Sequence, residues 1–259
     1  MMQYAIFARP VVTIYDLPQT TKQSEAGLVS TIGDEGLYGQ ACQVRTAPGG
    51  VTAEGVPLSP EVAEVVTFYG YHGFVRRDAL KFVSEDALRD YLPQPLVLVG
   101  RATDVLSLPK VQGERMLELE RGCLLCRLPE PPEEAFRDAV CAQAKKYLGT
   151  EYRWGGKSGR GIDCSGLVSS AYMQCGVLIY RDARIVEGWP MHQIPFADKK
   201  RGDALYFPGH IALYLGEGRY IHSTGASASG GVVINSLDPA DPLYREDLVK
   251  SLYAVGSIF

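Results

Sequence analysis

The 259-residue chain reads as an α+β protein, with an all-β region ahead of a mixed helical and stranded one. Three observations carry this. Short β-type runs punctuated by Gly and Pro fill residues 1–93. A stiff Pro129-Glu130-Pro131-Pro132 segment marks a boundary. Beyond it, a helix beginning at a cysteine precedes four strand-like runs in meander order. Hydrophobic residues make up 46% and charged residues 22%, ordinary values for a globular chain. The net charge of −4 lacks the basic excess of a nucleic-acid surface, so no nucleic-acid partner is expected. The chain has no run of about 18 apolar residues, so no membrane span is expected either. Met1 to Pro10 has no basic n-region, and Arg9 and Pro10 break its apolar run. It does not read as a signal peptide, and a cytoplasmic location is the expectation. Six cysteines are too dilute for a disulfide scaffold.

The elements follow in order. In the first zone, 1–93, Val11–Tyr15, Ala41–Val44 and Val65–Tyr69 read as strands of a small β-barrel. A helix over Ser84–Tyr91 closes it before Pro93. The second zone, 94–130, holds strand-like runs at 96–99, 104–108 and 123–126. It is too short for a core of its own and is expected to pack on a neighbour. The third zone is 131–259. The proline run opens a helix whose first turn carries Glu133 and Glu134, where the helix dipole favours negative charge. Phe136, Val140, Ala144 and Tyr147 give it one apolar face, and Gly149 ends it. Asp163 reads as the N-cap of a second helix, with Cys164 its first residue and Leu167, Val168, Ala171 and Cys175 its buried stripe. Ala204–Phe207, His210–Leu215, Arg219–Thr224 and Val232–Ser236 read as strands.

Cysteine at a helix N-terminus meets free backbone N–H groups and the positive end of the dipole, which favour the thiolate and can hold a developing oxyanion. Cys164 is therefore the candidate nucleophile. Buried cysteines are ordinarily inert core residues, but the Gly161-Ile162-Asp163-Cys164-Ser165-Gly166 context argues otherwise. A base must come from His72, His192, His210 or His222, the only four histidines. His210 and His222 flank Gly216-Glu217-Gly218, which reads as a hairpin turn. If the hairpin is symmetric about Gly216, the two imidazoles face each other directly; a two-residue loop shifts that register. One histidine then serves as base and the other orients it. The third role falls on His222, on Asn235 (the only asparagine) or on a carboxylate, with His222 favoured because the hairpin delivers it.

These residues resemble a known family. Tyr152-Arg153-Trp154-Gly155-Gly156, Asp163-Cys164-Ser165-Gly166-Leu167, Arg201-Gly202-Asp203, Gly209-His210-Ile211-Ala212 and Tyr220-Ile221-His222 look like the NlpC-type cysteine peptidases, which cleave cell-wall peptides through a papain-like core. The layout is similar to a subgroup of γ-D-glutamyl-L-diamino acid endopeptidases in which two small bacterial SH3-like barrels precede the catalytic domain. The resemblance implies SH3-like domains over 1–93 and 94–130 and a peptidase domain over 131–259. It implies Cys164 as nucleophile, His210 as base and His222 as its orienting partner. For substrate binding it implies Tyr71, Tyr152, Trp154, Asp163, Ser165 and Asp182. Tyr71 matches an SH3-like tyrosine that blocks the subsites beyond the substrate's N-terminus, although Phe74 stands where the subgroup often has tryptophan. An aspartate beside the nucleophile can also pair with a free α-ammonium by charge-assisted hydrogen bonds.

The implied activity is hydrolysis of the γ-D-Glu–L-diamino acid bond in murein-derived peptides such as L-Ala-γ-D-Glu-L-Lys or its diaminopimelate counterpart, in recycling of imported peptides. It requires no cofactor and no metal. A non-catalytic peptidoglycan-binding protein and an amidase or acyltransferase are the alternatives; the intact Cys–His–His set argues against the first. Two other motifs carry no chemistry. Gly156-Lys157-Ser158 lacks the earlier glycine of a phosphate loop, since Glu151 stands there, and Cys123-x-x-Cys126 has no second pair.

Overall fold

The computed structural model describes residues 3–91, 133–226 and 230–259. The second zone, its strand-like runs, the proline segment and the Cys123-x-x-Cys126 pair lie outside the described residues. The chain divides into two compact units, Met1–Leu125 and Cys126–Phe259.

Among the described residues the first unit is β but for a 3-10 turn at Arg77–Ala79 and one helix after the last strand. Its strands are β1 (Gln3–Phe7), β2 (Val11–Tyr15), β3 (Thr21–Ser24), β4 (Gly27–Ser30), β5 (Ile32–Leu37), β6 (Ala41–Val44), β7 (Val62–Thr67), β8 (His72–Arg76) and β9 (Leu80–Val83). Seven of them form one antiparallel sheet in the order β5-β2-β8-β7-β6-β1-β9, and β3 and β4 make a separate hairpin. Alternation explains the core. Along β2, Val12 and Ile14 point inward while their neighbours stay half-exposed. Phe7, Val12, Ile14, Val44, Val65 and Val75 meet in one buried cluster. Helix α1 (Glu85–Tyr91) follows Ser84, whose hydroxyl accepts from the Ala87 N–H at 3.1 Å, an ordinary N-cap.

The second unit packs two helices on an antiparallel sheet. Helix α2 (Glu133–Lys145) is followed by the short pair β10 (Lys157–Ser158) and β11 (Gly161–Ile162), then by α3 (Cys164–Gln174). The strands β12 (His192–Ile194), β13 (Ala204–Phe207), β14 (His210–Gly216), β15 (Arg219–Thr224) and β16 (Gly231–Ser236) come next, with α4 (Glu246–Ser251) and β17 (Ala254–Ser257) last. The sheet order is β12-β17-β13-β14-β15-β16, so the C-terminal strand inserts between β12 and β13. Phe136, Val140, Leu167, Val168, Ala171, Ile211, Leu213 and Ile221 are buried together where the helices meet the sheet. The motif aspartate Asp203 serves this packing. Its Oδ1 accepts from Arg137 Nη1 at 2.7 Å, and both side chains are buried. Arg137 also donates to the Arg201 carbonyl at 2.9 Å, tying α2 to the turn before β13. Removing either partner would strand a buried charge. Among the described residues no helix is long and apolar enough to cross a membrane.

Candidate active site

The site begins at the N-terminus of α3. Asp163 has extended backbone and caps the helix, accepting the Gly166 N–H at 2.5 Å on Oδ1. Its Oδ2 accepts the Gly155 N–H at 2.8 Å. This ties the Gly155-Gly156 turn to the helix start, and the glycines make the approach possible. A Cβ on Gly166 would lie 2.1 Å from the Gly156 carbonyl oxygen, and one on Gly156 would lie 2.4 Å from that of Gly161. The two glycine-bearing motifs are therefore one packing unit that presents Cys164.

Cys164 is nearly buried, with its thiol against the backbone N–H groups of Ser165 and Ile211. Ile211 directly follows His210, so the thiol abuts the start of β14. The helix N-terminus does not win here. Burial, followed by the negative charge of Asp163, pushes the thiol up to about 11. This corrects the expectation of a lowered value. His210 moves the other way, to about 3, through burial and then the neighbouring His222 and Arg245. Each group alone resists charge. Proton transfer between them creates adjacent opposite charges, which offsets part of that cost.

His210 Nε2 lies 2.8 Å from His222 Nδ1, with the rings edge to face and their centroids 5.0 Å apart. His222 is fully buried, and its Nε2 lies 2.8 Å from Asn235 Oδ1. The histidines are not directly opposite. β14 and β15 pair as Leu213 with Ile221, so the next step sets Ala212 against His222 and leaves His210 on the diagonal. The reason is a register shift between Tyr214 and Gly216 beside a two-residue turn. Glu217 and Gly218 both have positive φ, 52° and 73°, as a type I′ turn requires. Diagonal Cβ atoms are about 7–8 Å apart, a span two imidazoles bridge comfortably. Asn235 stands in series with His222 rather than in its place. Tyr220 pairs with Asn235, and His222 with Val233, which makes this step a diagonal as well.

Arg181, which the sequence reading passed over, organises the rest. This buried guanidinium donates from Nη1 to Ser165 Oγ at 2.7 Å and from Nη2 to Asp163 Oδ2 at 3.2 Å. Nη2 also reaches the Gly155 carbonyl at 3.1 Å. Asp163 thus holds a cation of its own, and Ser165 donates to Asp163 Oδ1 at 3.2 Å. The signal was present in Tyr180-Arg181-Asp182, beside the residue that was singled out. Tyr152 is half-buried, close enough for Cys164 and Asp163 to help raise its hydroxyl to about 12, after burial. Trp154 is 67% exposed, a rim residue rather than a packed one. Asp182 is half-buried next to Arg181. Tyr71 belongs to the first unit, where its hydroxyl donates to Asp16 Oδ1 at 2.7 Å, and it is not among the residues that the second unit gathers. His72, without an evident partner in the sequence, lies 2.8 Å from the buried Glu64 carboxylate.

A cysteine on a helix N-terminus, facing a sheet that carries two linked histidines, is the layout of a thiol peptidase. Residues 149–249 match the NlpC/P60 family. A relative from Lysinibacillus sphaericus named dipeptidyl-peptidase 6 is 36% identical over 273 residues, spanning 91% of this chain and 95% of its own. The chain belongs to the NlpC/P60 family. It is accordingly a cysteine-type peptidase of a family that acts on peptidoglycan. The Bacillus subtilis (strain 168) γ-D-glutamyl-L-lysine dipeptidyl-peptidase is 28% identical, over 59% of this chain and 51% of its own. A crystal structure of an NlpC/P60 family protein from Bacillus cereus ATCC 10987 covers 97% of the chain and 98% of its own with a TM-score of 0.70. At 19% identity that similarity speaks for the fold, across both units.

If His210 is the base and His222 its orienting partner, their substitutions will differ in cost. His210→Ala is expected to lower kcat/KM by at least about a thousandfold, and His222→Ala by clearly less, because an orienting group is partly replaceable. Steady-state rates on one peptide decide this. Equal losses would show that His222 does more than orient.

Proposed function

We propose that this peptidase hydrolyses the γ-D-Glu–L-diamino acid bond (lysine or diaminopimelate) of short murein-derived peptides that begin with a free L-alanine, in the recycling of imported wall peptides in the cytoplasm. The observation that carries the reading is the Cys164–His210–His222 arrangement on a chain whose relatives include enzymes named γ-D-glutamyl-L-lysine dipeptidyl-peptidase. Its N-terminal half would consist of SH3-like domains, and the strand-rich first unit is consistent with this. Tyr71 enters by resemblance alone, as the residue that limits the substrate beyond its amino end.

The mechanism follows from the groups present. The Cys164 sulfur attacks the γ-carbonyl carbon of D-Glu while its proton passes to His210. The carbonyl oxygen gains negative charge, which the N–H groups at the start of α3 can stabilise. On collapse the C–N bond breaks, and the diamino acid leaves as an amine carrying the proton from His210. Water then attacks the thioester, gives a proton to His210, and releases the γ-carboxyl product with the thiol restored. Tyr152 lies near the thiol and Trp154 supplies exposed rim surface, while Ser165 and Arg181 hold Asp163 and with it the start of α3 in place.

Mass spectrometry of products from L-Ala-γ-D-Glu-L-Lys tests the bond assigned. L-Ala-D-Glu and free lysine are expected. Free alanine with γ-D-Glu-L-Lys would move the scissile bond and sink the proposal.

A further inference from the structure

We propose that Asn235 is a positioning residue for the base: acting through His222, it sets the ring tautomer of His210 so that Nδ1 carries the lone pair that takes the Cys164 proton. The proposal rests on the reading of Cys164 and His210 as nucleophile and base.

A chain of hydrogen bonds runs inward from a backbone carbonyl to His210. The Leu243 oxygen can only accept. Asn235 Nδ2 donates to it at 2.9 Å, which fixes the amide with Oδ1 toward His222. That oxygen is likewise only an acceptor, so His222 Nε2 must carry the hydrogen of their 2.8 Å contact. A neutral His222 then has its lone pair on Nδ1. His210 Nε2, 2.8 Å away, must donate to it. A neutral His210 protonated on Nε2 has an empty Nδ1, and no described side chain competes for it. Each proton position is forced by the one before. Accepting the thiol proton leaves His210 protonated on both nitrogens and still donating to His222. No proton need travel further.

The anchor is well held. The Leu243 oxygen also accepts the Ser236 N–H at 3.0 Å, and Ser236 bridges to Tyr244, so the acceptor is tied to β16 itself. The charged side chains whose fields reach the histidines are Arg245 and, at His222, Asp247. They engage each other at 2.8 and 2.6 Å rather than either imidazole. The other faces are aromatic: Phe207 from β13 against His210, and Tyr220 from β15 against His222. Asn235 is therefore the side chain that decides which nitrogen of buried His222 bears hydrogen.

Asn235→Leu would leave the His222 Nε2–H without an acceptor. The hydrogen is better placed on Nδ1, where it donates to His210 Nε2. That puts the single proton of neutral His210 on Nδ1, where it blocks the base. Asn235→Asp keeps an acceptor at the same place, and its negative charge favours protonated imidazole.

The test uses the full chain with ¹⁵N-labelled histidine. Cys164→Ala is introduced to silence turnover, and long-range ¹H–¹⁵N spectra are recorded above neutral pH. His210 and His222 are expected as Nε2–H tautomers in that parent and as Nδ1–H tautomers when Asn235→Leu is added. In the enzyme with Cys164 intact, Asn235→Leu is expected to lower kcat at least about tenfold with little change in KM. Asn235→Asp should recover most of kcat and move the acid limb of the pH profile upward. An Nδ1–H tautomer for His210 in the parent, or unchanged tautomers with Asn235→Leu, overturns the proposal. If Asn235→Leu does not fold, the parent's tautomers still decide. Full activity of His210→Ala would instead remove the assignment of the base while leaving the tautomers as measured, so the two failures are distinguishable.

Discussion

Cys164→Ala is expected to abolish peptide hydrolysis while leaving the fold intact, the largest effect of any single change in this chain. The side chain is small and nearly buried, and alanine removes only the sulfur. Loss of a nucleophile in a covalent mechanism costs on the order of a millionfold in kcat, since no residual group can form the acyl-enzyme. The same variant reports the charge state of the resting site. With the thiol pushed up to about 11 and His210 down to about 3, the resting pair is neutral at pH 7. Thiolate absorbance near 240 nm, wild type minus Cys164→Ala, should be negligible there and should grow only in strong alkali. The reactive form holds one proton on the pair, so kcat/KM should be flat across neutral pH. It falls on the acid side when the pair gains a second proton and on the alkaline side when it loses its last. Cys42, Cys141 and Cys175 are buried, with thiols at about 12, 11 and 12, and supply no rival thiolate. Turnover by Cys164→Ala would sink the assignment of the nucleophile. A difference spectrum at pH 7 the size of one thiolate would show that the ion pair forms before substrate arrives.

Local features of this chain were legible, and long-range ones were not. Helix α3 could be read because Asp163 is a strong cap and the apolar stripe behind it has helical period. The strands Val11–Tyr15, Ala41–Val44, Ala204–Phe207 and Arg219–Thr224 form over the residues read, because alternation or continuous apolarity is written within each segment. The placement of β17 between β12 and β13 has no such local signature: Ala254-Val255-Gly256-Ser257 is short and unremarkable until it is paired. The histidine pair was recognised, but of the two registers the sequence left open the chain takes the one set by a two-residue turn, and one extra residue near Leu215 then brings His222 opposite Ala212, with His210 on the diagonal. Asn235 looked like a competitor of His222, because a sequence lists candidates for one role and cannot show them in series. Arg181 was missed because the partner of a buried carboxylate can come from anywhere in the chain. Asp163 and Arg181 are 18 residues apart and meet only through the fold. Likewise, the thiol's position at a helix start was visible, but the burial that outweighs the dipole was not.

The second large effect concerns the substrate's amino end. A free N-terminal L-alanine carries a cation, and N-acetylation both removes the charge and adds bulk. A hydrogen bond to a charged group contributes roughly 1.5–3 kcal/mol, so acetylation is expected to lower kcat/KM at least about tenfold to a hundredfold. The structure changes which residue best tests this. Asp163 already accepts from Gly155, Ser165, Gly166 and Arg181, so Asp163→Asn weakens the cap of α3 and the Arg181 contact along with any amine site. Its loss should appear in both stability and kcat. Asp182 is half-buried beside that network and caps no helix. Asp182→Asn should therefore raise KM for the free peptide and narrow its advantage over the acetylated one. Tyr71→Ala, chosen from the resemblance alone, is expected to relax the same discrimination. The measurement is the time course of cleavage of L-Ala-γ-D-Glu-L-Lys, its N-acetyl form and purified sacculi by one enzyme stock. Intact wall presents a lactyl amide in place of the ammonium and should be cleaved slowest. Equal rates on all three would mean that neither carboxylate meets an amine, and a role confined to freed peptides would lose its physical basis.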